Sequence, residues 1–268
     1  MRARLPHAVI VLSLLLSMGA DYRTPNFLIT APTAELAREL GEAAEKYRRS
    51  LALDWMGREL PRWESPCTVQ ARVASHLPPS GLLSYSFRNG RAYNWRITLQ
   101  GSRDRVLYSV LPHEITHAVF ATHFGKPLPR WADEGVAIVI EQAEARGEQN
   151  QKLIEYLDAG RTMSLDQLFA MHEYPADILP MYSQGYSLVR FLVEQGGRRK
   201  FVEFLDDGMQ SHDWAGCTER HYAYADLGQL QRSWLGWVAT SDEPKASLVK
   251  LRLDEAEEFV ANDRARRR

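Results

Sequence analysis

The sequence lacks several features that would point to particular protein classes. Its 268 residues carry a formal net charge of −1, with a pI of about 6.7, so nothing in the charge balance indicates a nucleic-acid partner. No period of 20–50 residues is visible, which argues against a solenoid or a propeller. Apolar runs are short: even the uncharged stretch at 5–20 falls below the ~20 residues that a spanning helix needs.

Cysteine is also scarce, with only Cys67 and Cys217 present. In an exported protein this pair could form one disulfide, and two unpaired buried thiols are an equally good interpretation. Their wide separation in the sequence does not resemble a structural zinc site.

The first twenty residues have the layout of a secretory signal peptide. Arg2 and Arg4 give a basic start, the apolar run 8–16 follows, and small residues come just before position 21. We therefore expect residues 1–20 to be a signal peptide and the protein to be exported, either to the periplasm or to the extracellular space. An uncleaved N-terminal anchor is the alternative, and no other membrane association is predicted.

Residue patterns divide the rest of the chain into a strand-rich first part and a helical second part. Strands are predicted at 26–30, 67–75, 82–87 and 93–99, with one long helix at 34–59 and a tight Asn89-Gly90 hairpin turn. Further helices are predicted at 105–124, 131–145, 153–157, 164–171, 181–195 and 226–239. This order indicates an α+β fold, with a domain at 21–240 and a charged helical tail at 241–268.

The sharpest motif is the segment 113–117, which reads His-Glu-Ile-Thr-His. On a helix, His113 and His117 lie one turn apart on the same face, where both imidazoles can bind one Zn²⁺ ion. Glu114 lies on the flank of that face, where its carboxylate can accept a proton from an activated water molecule. Taken alone, the pattern could equally be a solvent-exposed helix face. The apolar residues around it favour a buried helix, in which a metal would compensate the polar side chains.

A third metal ligand is available on the next predicted helix. Glu134 stands in the segment 131–137 (WADEGVA), after a short turn that contains glycine and proline. Short connections favour antiparallel neighbouring helices, which would bring Glu134 back toward His117. The sequence therefore predicts one Zn²⁺ ion bound by His113, His117 and Glu134.

These motifs together resemble the gluzincins, the peptidase MA-like group that includes thermolysin and the aminopeptidase N-type enzymes. The likeness lies in HEITH, sixteen intervening residues and then Glu134-Gly135, followed by a Tyr182-x-x-Gly185 helix. It implies a thermolysin-like catalytic domain with a small N-terminal part that contains the sheet, a helical C-terminal part and a cleft between them. It also implies that Glu114 is the catalytic base and that the Tyr182 hydroxyl stabilises the oxyanion.

Two departures from that family limit the assignment. No G-x-M-E-N segment precedes the zinc helix, which argues against an aminopeptidase. Ile138 lies where a thermolysin-type enzyme has an acidic residue that orients a ligand, and Asp133 or Thr116 could take that role instead.

Other candidates have ordinary structural interpretations beside a functional one. His123, His172, His212 and His221 are more typical of surface or core histidines than of site residues. Trp95 and the strand 96–99 could form a sheet edge that pairs with an extended substrate, or an ordinary hairpin strand.

The function predicted from the sequence is that of a zinc-dependent metallopeptidase. A metal-activated water would hydrolyse a peptide or protein substrate, with Glu114 as general base. The alternatives are an exported binding protein that retains a peptidase-like fold without catalysis, and a zinc hydrolase with a non-peptide substrate.

Overall fold

The computed structural model describes residues 19–171 and 175–240. It has a mixed α+β architecture, about 60% helix, with one five-stranded sheet, which confirms the α+β part of the predicted fold. Residues 1–18, which make up most of the predicted signal peptide, lie outside the described residues, as do the predicted tail at 241–268 and His172. Within the described ranges, no helix combines the length and the apolar character that crossing a membrane requires.

The sheet consists of the strands β1 Ala20–Arg23, β2 Phe27–Ala31, β3 Cys67–Val73, β4 Ser80–Arg88 and β5 Arg91–Gly101. Their order is β1-β2-β3-β5-β4. The pairs β2–β3 and β3–β5 are parallel, and the pairs β1–β2 and β4–β5 are antiparallel. β4 is therefore an edge strand and β5 lies inside the sheet, so of the two interpretations of 96–99 the sheet edge is wrong and the hairpin strand is correct.

The helices follow the predicted order with different ends. The predicted helix 131–145 stops at Val139, and a separate helix begins at Ala143. The predicted helix 181–195 continues past a kink at Gly197, whose φ of 78° is not helical. The helices are α1 Ala34–Met56, α2 Arg103–Arg105, α3 Leu111–Phe124, α4 Arg130–Val139, α5 Ala143–Asp158, α6 Leu165–Phe169, α7 Leu179–Ser211, α8 Trp214–Tyr222 and α9 Leu227–Thr240.

Local sequence signals account for several of these boundaries. Thr33 caps α1 by accepting a hydrogen bond from the backbone N–H of Leu36, and Gly57 ends the helix in the left-handed region at φ 69°. Between β4 and β5, Asn89 and Gly90 both have positive φ, at 51° and 71°, as a mirror-type hairpin turn requires. The predicted turn is therefore confirmed.

The core joins the sheet to the helices. The ring of Trp55 on α1 lies 5.2 Å from that of Phe120 on α3 and 6.0 Å from that of Phe201 on α7, centroid to centroid. Cys67 and Cys217 are both buried free thiols, so the unpaired interpretation is the correct one. Because α3 is packed from both sides, its motif residues are held on a rigid element.

Candidate metal centre

Three side chains from α3 and α4 converge at the predicted site. The Nε2 atoms of His113 and His117 lie 3.2 Å apart. The Oε2 atom of Glu134 lies 3.9 Å from each of these nitrogens. The short turn between α3 and α4 thus brings Glu134 back against the preceding helix, as the sequence predicts.

These distances fit a single cation. Ligand atoms bound at ~2.0–2.1 Å to one ion can be no more than ~4.2 Å apart. All three separations meet that limit. The triad of His113, His117 and Glu134 could therefore hold a metal ion.

Carboxylates behind the imidazoles fix which nitrogen atoms face the site. Asp133 Oδ1 lies 2.8 Å from His117 Nδ1, and Glu141 Oε1 lies 2.7 Å from His113 Nδ1. With both Nδ1–H groups donated to carboxylates, each ring presents Nε2 to the site. Two such nitrogens at 3.2 Å need a positive charge between them, either a proton or a metal ion.

Glu141 is the site residue that the sequence did not predict. It follows the end of α4, and its second oxygen, Oε2, accepts a hydrogen bond of 3.1 Å from the buried hydroxyl of Ser109. Ser109 lies in a π-helical turn, Val106–Val110, that leads directly into α3. The sequence suggested Asp133 or Thr116 as the residue that orients a metal ligand. Asp133 is the one that contacts an imidazole, whereas the Thr116 hydroxyl donates a hydrogen bond to the carbonyl of Pro112.

The Asp133 contact also controls the protonation of His117. Burial alone would lower the pKa of this imidazole, but the Asp133 carboxylate, helped by Glu134 and Glu114, raises it to about 10. Below that pH the ring keeps its Nε2 proton, which can be donated to His113 Nε2. A metal ion bound at this point would take the place of that proton.

Glu114 lies beside the metal ligands and lines the same cleft. Its side chain is almost fully buried, and burial raises the pKa of the carboxyl above its ordinary value. The imidazoles of His113 and His117 act in the opposite direction, as does a hydrogen bond from the backbone N–H of Leu83. A carboxyl with a raised pKa is suited to receive a proton during a reaction.

A close helix crossing brings Tyr182 into the lining of the same cleft. A Cβ atom at Gly135 on α4 would lie 2.7 Å from the Gly185 carbonyl on α7, so the two backbones touch. Glu134 directly precedes Gly135 on α4. Tyr182 lies three residues, or about one helical turn, before Gly185 on α7. Burial raises the pKa of the Tyr182 hydroxyl to about 12, with Glu134 adding to the effect, so it remains a hydrogen-bond donor near neutral pH.

The cleft lies between the sheet edge and the helices and has a volume of about 870 Å³. One wall is β4, and no other strand within 19–171 and 175–240 pairs with its outer edge. The other walls come from α3, α4, α5 and the start of α7. Besides the metal-site residues, its lining includes Gly81, Leu82, Leu83, Ser84, Tyr85, Phe87, Arg130, Ile138, Gln149, Ile178 and Tyr182.

The remaining sequence candidates lie elsewhere. His123, His212 and His221 are not part of the cleft lining. His221 contacts Asp207 at 3.1 Å. Trp95 is buried under the sheet, where it stacks on Trp63 with ring centroids 4.8 Å apart. None of these four side chains contributes to the metal centre.

Comparison with protein-family models and with curated protein sequences gives no match for this chain. The function of the protein is therefore inferred from the geometry of the site.

Proposed function

We propose that the protein is a zinc-dependent metallopeptidase of the gluzincin type. The observation that carries this proposal is the pair of imidazole Nε2 atoms 3.2 Å apart, with the Glu134 carboxylate 3.9 Å from both. Two imidazoles and one carboxylate are a donor set typical of catalytic zinc, with one coordination position left open. When bound, zinc supplies Lewis acidity, lowering the pKa of water and polarising a carbonyl group.

The chain's own residues have separate roles in this proposal. Glu114 accepts the proton of the attacking water on its carboxylate and then delivers it to the leaving amine nitrogen. The Tyr182 hydroxyl donates a hydrogen bond to the oxygen that becomes negatively charged. Asp133 and Glu141 keep His117 and His113 in the orientation that directs Nε2 to the metal.

The position of β4 supports a peptide as the substrate. An extended peptide can add to an exposed sheet edge through main-chain hydrogen bonds. Such an edge forms one wall of the cleft that contains the metal centre, with Ser84 and Tyr85 among the residues of that wall. We further propose, from the pattern at residues 1–20, that the enzyme acts outside the cytoplasm.

The test compares wild-type protein with Glu114→Gln on a mixed peptide library, with and without a chelator. Glutamine preserves the size of the side chain but cannot accept the proton, so we expect turnover to fall by ~10³-fold or more while bound zinc stays equimolar. Near-wild-type hydrolysis by Glu114→Gln would contradict the role of this residue.

Product analysis in the same experiment separates the rival functions. Chelator-sensitive cleavage of peptides supports the metallopeptidase. A wild-type protein that binds zinc but cleaves no peptide would instead support a binding protein, or a hydrolase of another substrate class.

A further inference from the structure

The edge strand β4 lies against the proposed catalytic base, and it comes closest at Gly81. A Cβ atom at this position would overlap Glu114 Oε1 and would lie 2.9 Å from Glu114 Cδ and 2.7 Å from Val110 Cγ1. Gly81 is not among the residues with positive φ, so its backbone conformation is open to any residue. The need for glycine here is therefore one of space beside the carboxylate.

A second residue of β4 that acts on this carboxyl lies two positions further along the strand. Leu83 lines the same cleft as Glu114, and its backbone N–H lowers the pKa of the Glu114 carboxyl. Both residues belong to a strand that is itself paired to β5 from Ser80 to Arg88. The carboxylate is thus confined by the backbone at Gly81, on a strand that its pairing with β5 keeps in place.

We propose that β4 is the element that positions the general base, and that Gly81 is a positioning residue because any side chain there displaces the Glu114 carboxylate. The inference rests on the proposed hydrolase function. A glutamate has three rotatable side-chain bonds, so burial alone does not fix where its oxygens lie. A displacement of about 1 Å in a reacting group can cost ~10²-fold in rate.

The atoms that the methyl group of Gly81→Ala would contact indicate whether the variant can still fold. At Gly81 the nearest atoms are the ends of the Glu114 and Val110 side chains, not backbone. Such ends can rotate away without unfolding the strand, so Gly81→Ala should fold and bind metal with its base out of place. Gly147 on α5 provides a matched control, because a Cβ there meets nothing within 4 Å and the residue is not part of the cleft.

The experiment measures kcat, KM, bound zinc and melting temperature for wild type, Gly81→Ala and Gly147→Ala. We expect Gly81→Ala to lower kcat by ~10²-fold, with KM, zinc content and melting temperature close to wild type. Gly147→Ala should match wild type in all four. A general weakening of the structure would instead lower the zinc content or the melting temperature, and that result would overturn the proposal.

A substitution that shortens the side chain of the general base provides the decisive comparison. Glu114→Asp withdraws the carboxylate by one methylene, so its loss of kcat should be smaller in the Gly81→Ala background than in wild type. This non-additivity is expected only if the two side chains compete for the same space. Additive losses, or a Gly81→Ala kcat within about twofold of wild type, would overturn the positioning role. An inactive wild-type protein would instead refute the proposed function on which the inference rests.

Discussion

Among the residues that the structure describes, two clusters combine histidine with carboxylate, and they differ in what the imidazole nitrogens face. On the outer helices α7 and α8, Asp207 accepts hydrogen bonds from Arg220 Nε at 3.0 Å and from Arg220 Nη2 at 2.9 Å. His221 Nε2 lies 3.1 Å from the same carboxylate. In this cluster the imidazole nitrogen and the guanidinium donors face a carboxylate oxygen, and no two imidazole nitrogens face each other.

In the cleft, the carboxylates lie behind the rings and the Nε2 atoms of His113 and His117 face each other. Asp133 and Glu141 accept hydrogen bonds from the Nδ1–H groups, which leaves the two Nε2 nitrogens 3.2 Å apart with a proton or a metal ion between them. The number of charged residues does not separate the two clusters. The difference lies in the convergence of two imidazole nitrogens on one point, where a metal ion can replace the shared proton, and this identifies the cleft cluster as a candidate metal centre.

The largest change expected from a single substitution outside the metal ligands and the base is at Tyr182. Tyr182→Phe removes the proposed donor to the developing oxyanion, so we expect kcat to fall by ~10²-fold or more while the zinc content is unchanged. Steady-state kinetics on a cleaved peptide measures this. Tyr186→Phe, one turn further along α7 and outside the cleft, is the control that should retain turnover.

A smaller effect is expected from the carboxylate behind His113. Glu141→Gln keeps an oxygen acceptor but removes the negative charge, so we expect the affinity for zinc to fall by ~10–100-fold. Competition with a chelator of known affinity measures it. The exposed Glu144→Gln should leave affinity unchanged, and an equal loss in both variants would show that Glu141 acts only through overall charge.

The same comparison predicts a pH dependence for metal binding. The pKa of His117 is raised to about 10. Below that pH, metal binding must therefore release one proton from the His117 imidazole. The affinity of the apoprotein for zinc should therefore rise by about tenfold per pH unit between pH 7 and 9. Asp133→Asn removes the main cause of the raised pKa and should flatten this slope above pH 7. A wild-type affinity independent of pH over this range would contradict the assignment of the His117–Asp133 pair.

The smallest effect should come from the cluster on the outer helices. Asp207→Asn weakens a network exposed to solvent, so we expect zinc content and turnover to match wild type, with only a small shift in melting temperature. Metal analysis and a thermal melt measure both. If Asp207→Asn lowered zinc binding as far as Asp133→Asn, the distinction between the two clusters would fail.

The sequence was a good guide where structure depends on local spacing. The i, i+4 histidines define a helix face, and the short turn before α4 limits where Glu134 can lie, so all three proposed ligands could be named in advance. The Asn89-Gly90 turn could be predicted for the same reason, because its conformation is set by two adjacent residues.

What the sequence could not show depends on contacts between distant segments. Glu141 lies seven residues after Glu134, beyond the end of α4, and no helical spacing connects it with His113. The strand order, which makes β4 rather than β5 the sheet edge, comes from the parallel pairing of β5 with β3, two strands that are not consecutive in the chain. The glycine at 81 looks ordinary in the sequence and acquires meaning only from its contact with Glu114.

The most direct test of the account is the metal content of purified protein, measured by elemental analysis for wild type and for Glu134→Ala. Three ligands from α3 and α4 predict one zinc ion per wild-type chain. The zinc content of Glu134→Ala should be much lower, because the two imidazoles lose the carboxylate that completes the set of three ligands. A wild-type protein that takes up no divalent metal, or a Glu134→Ala protein that keeps a full equivalent, would contradict the shared metal site.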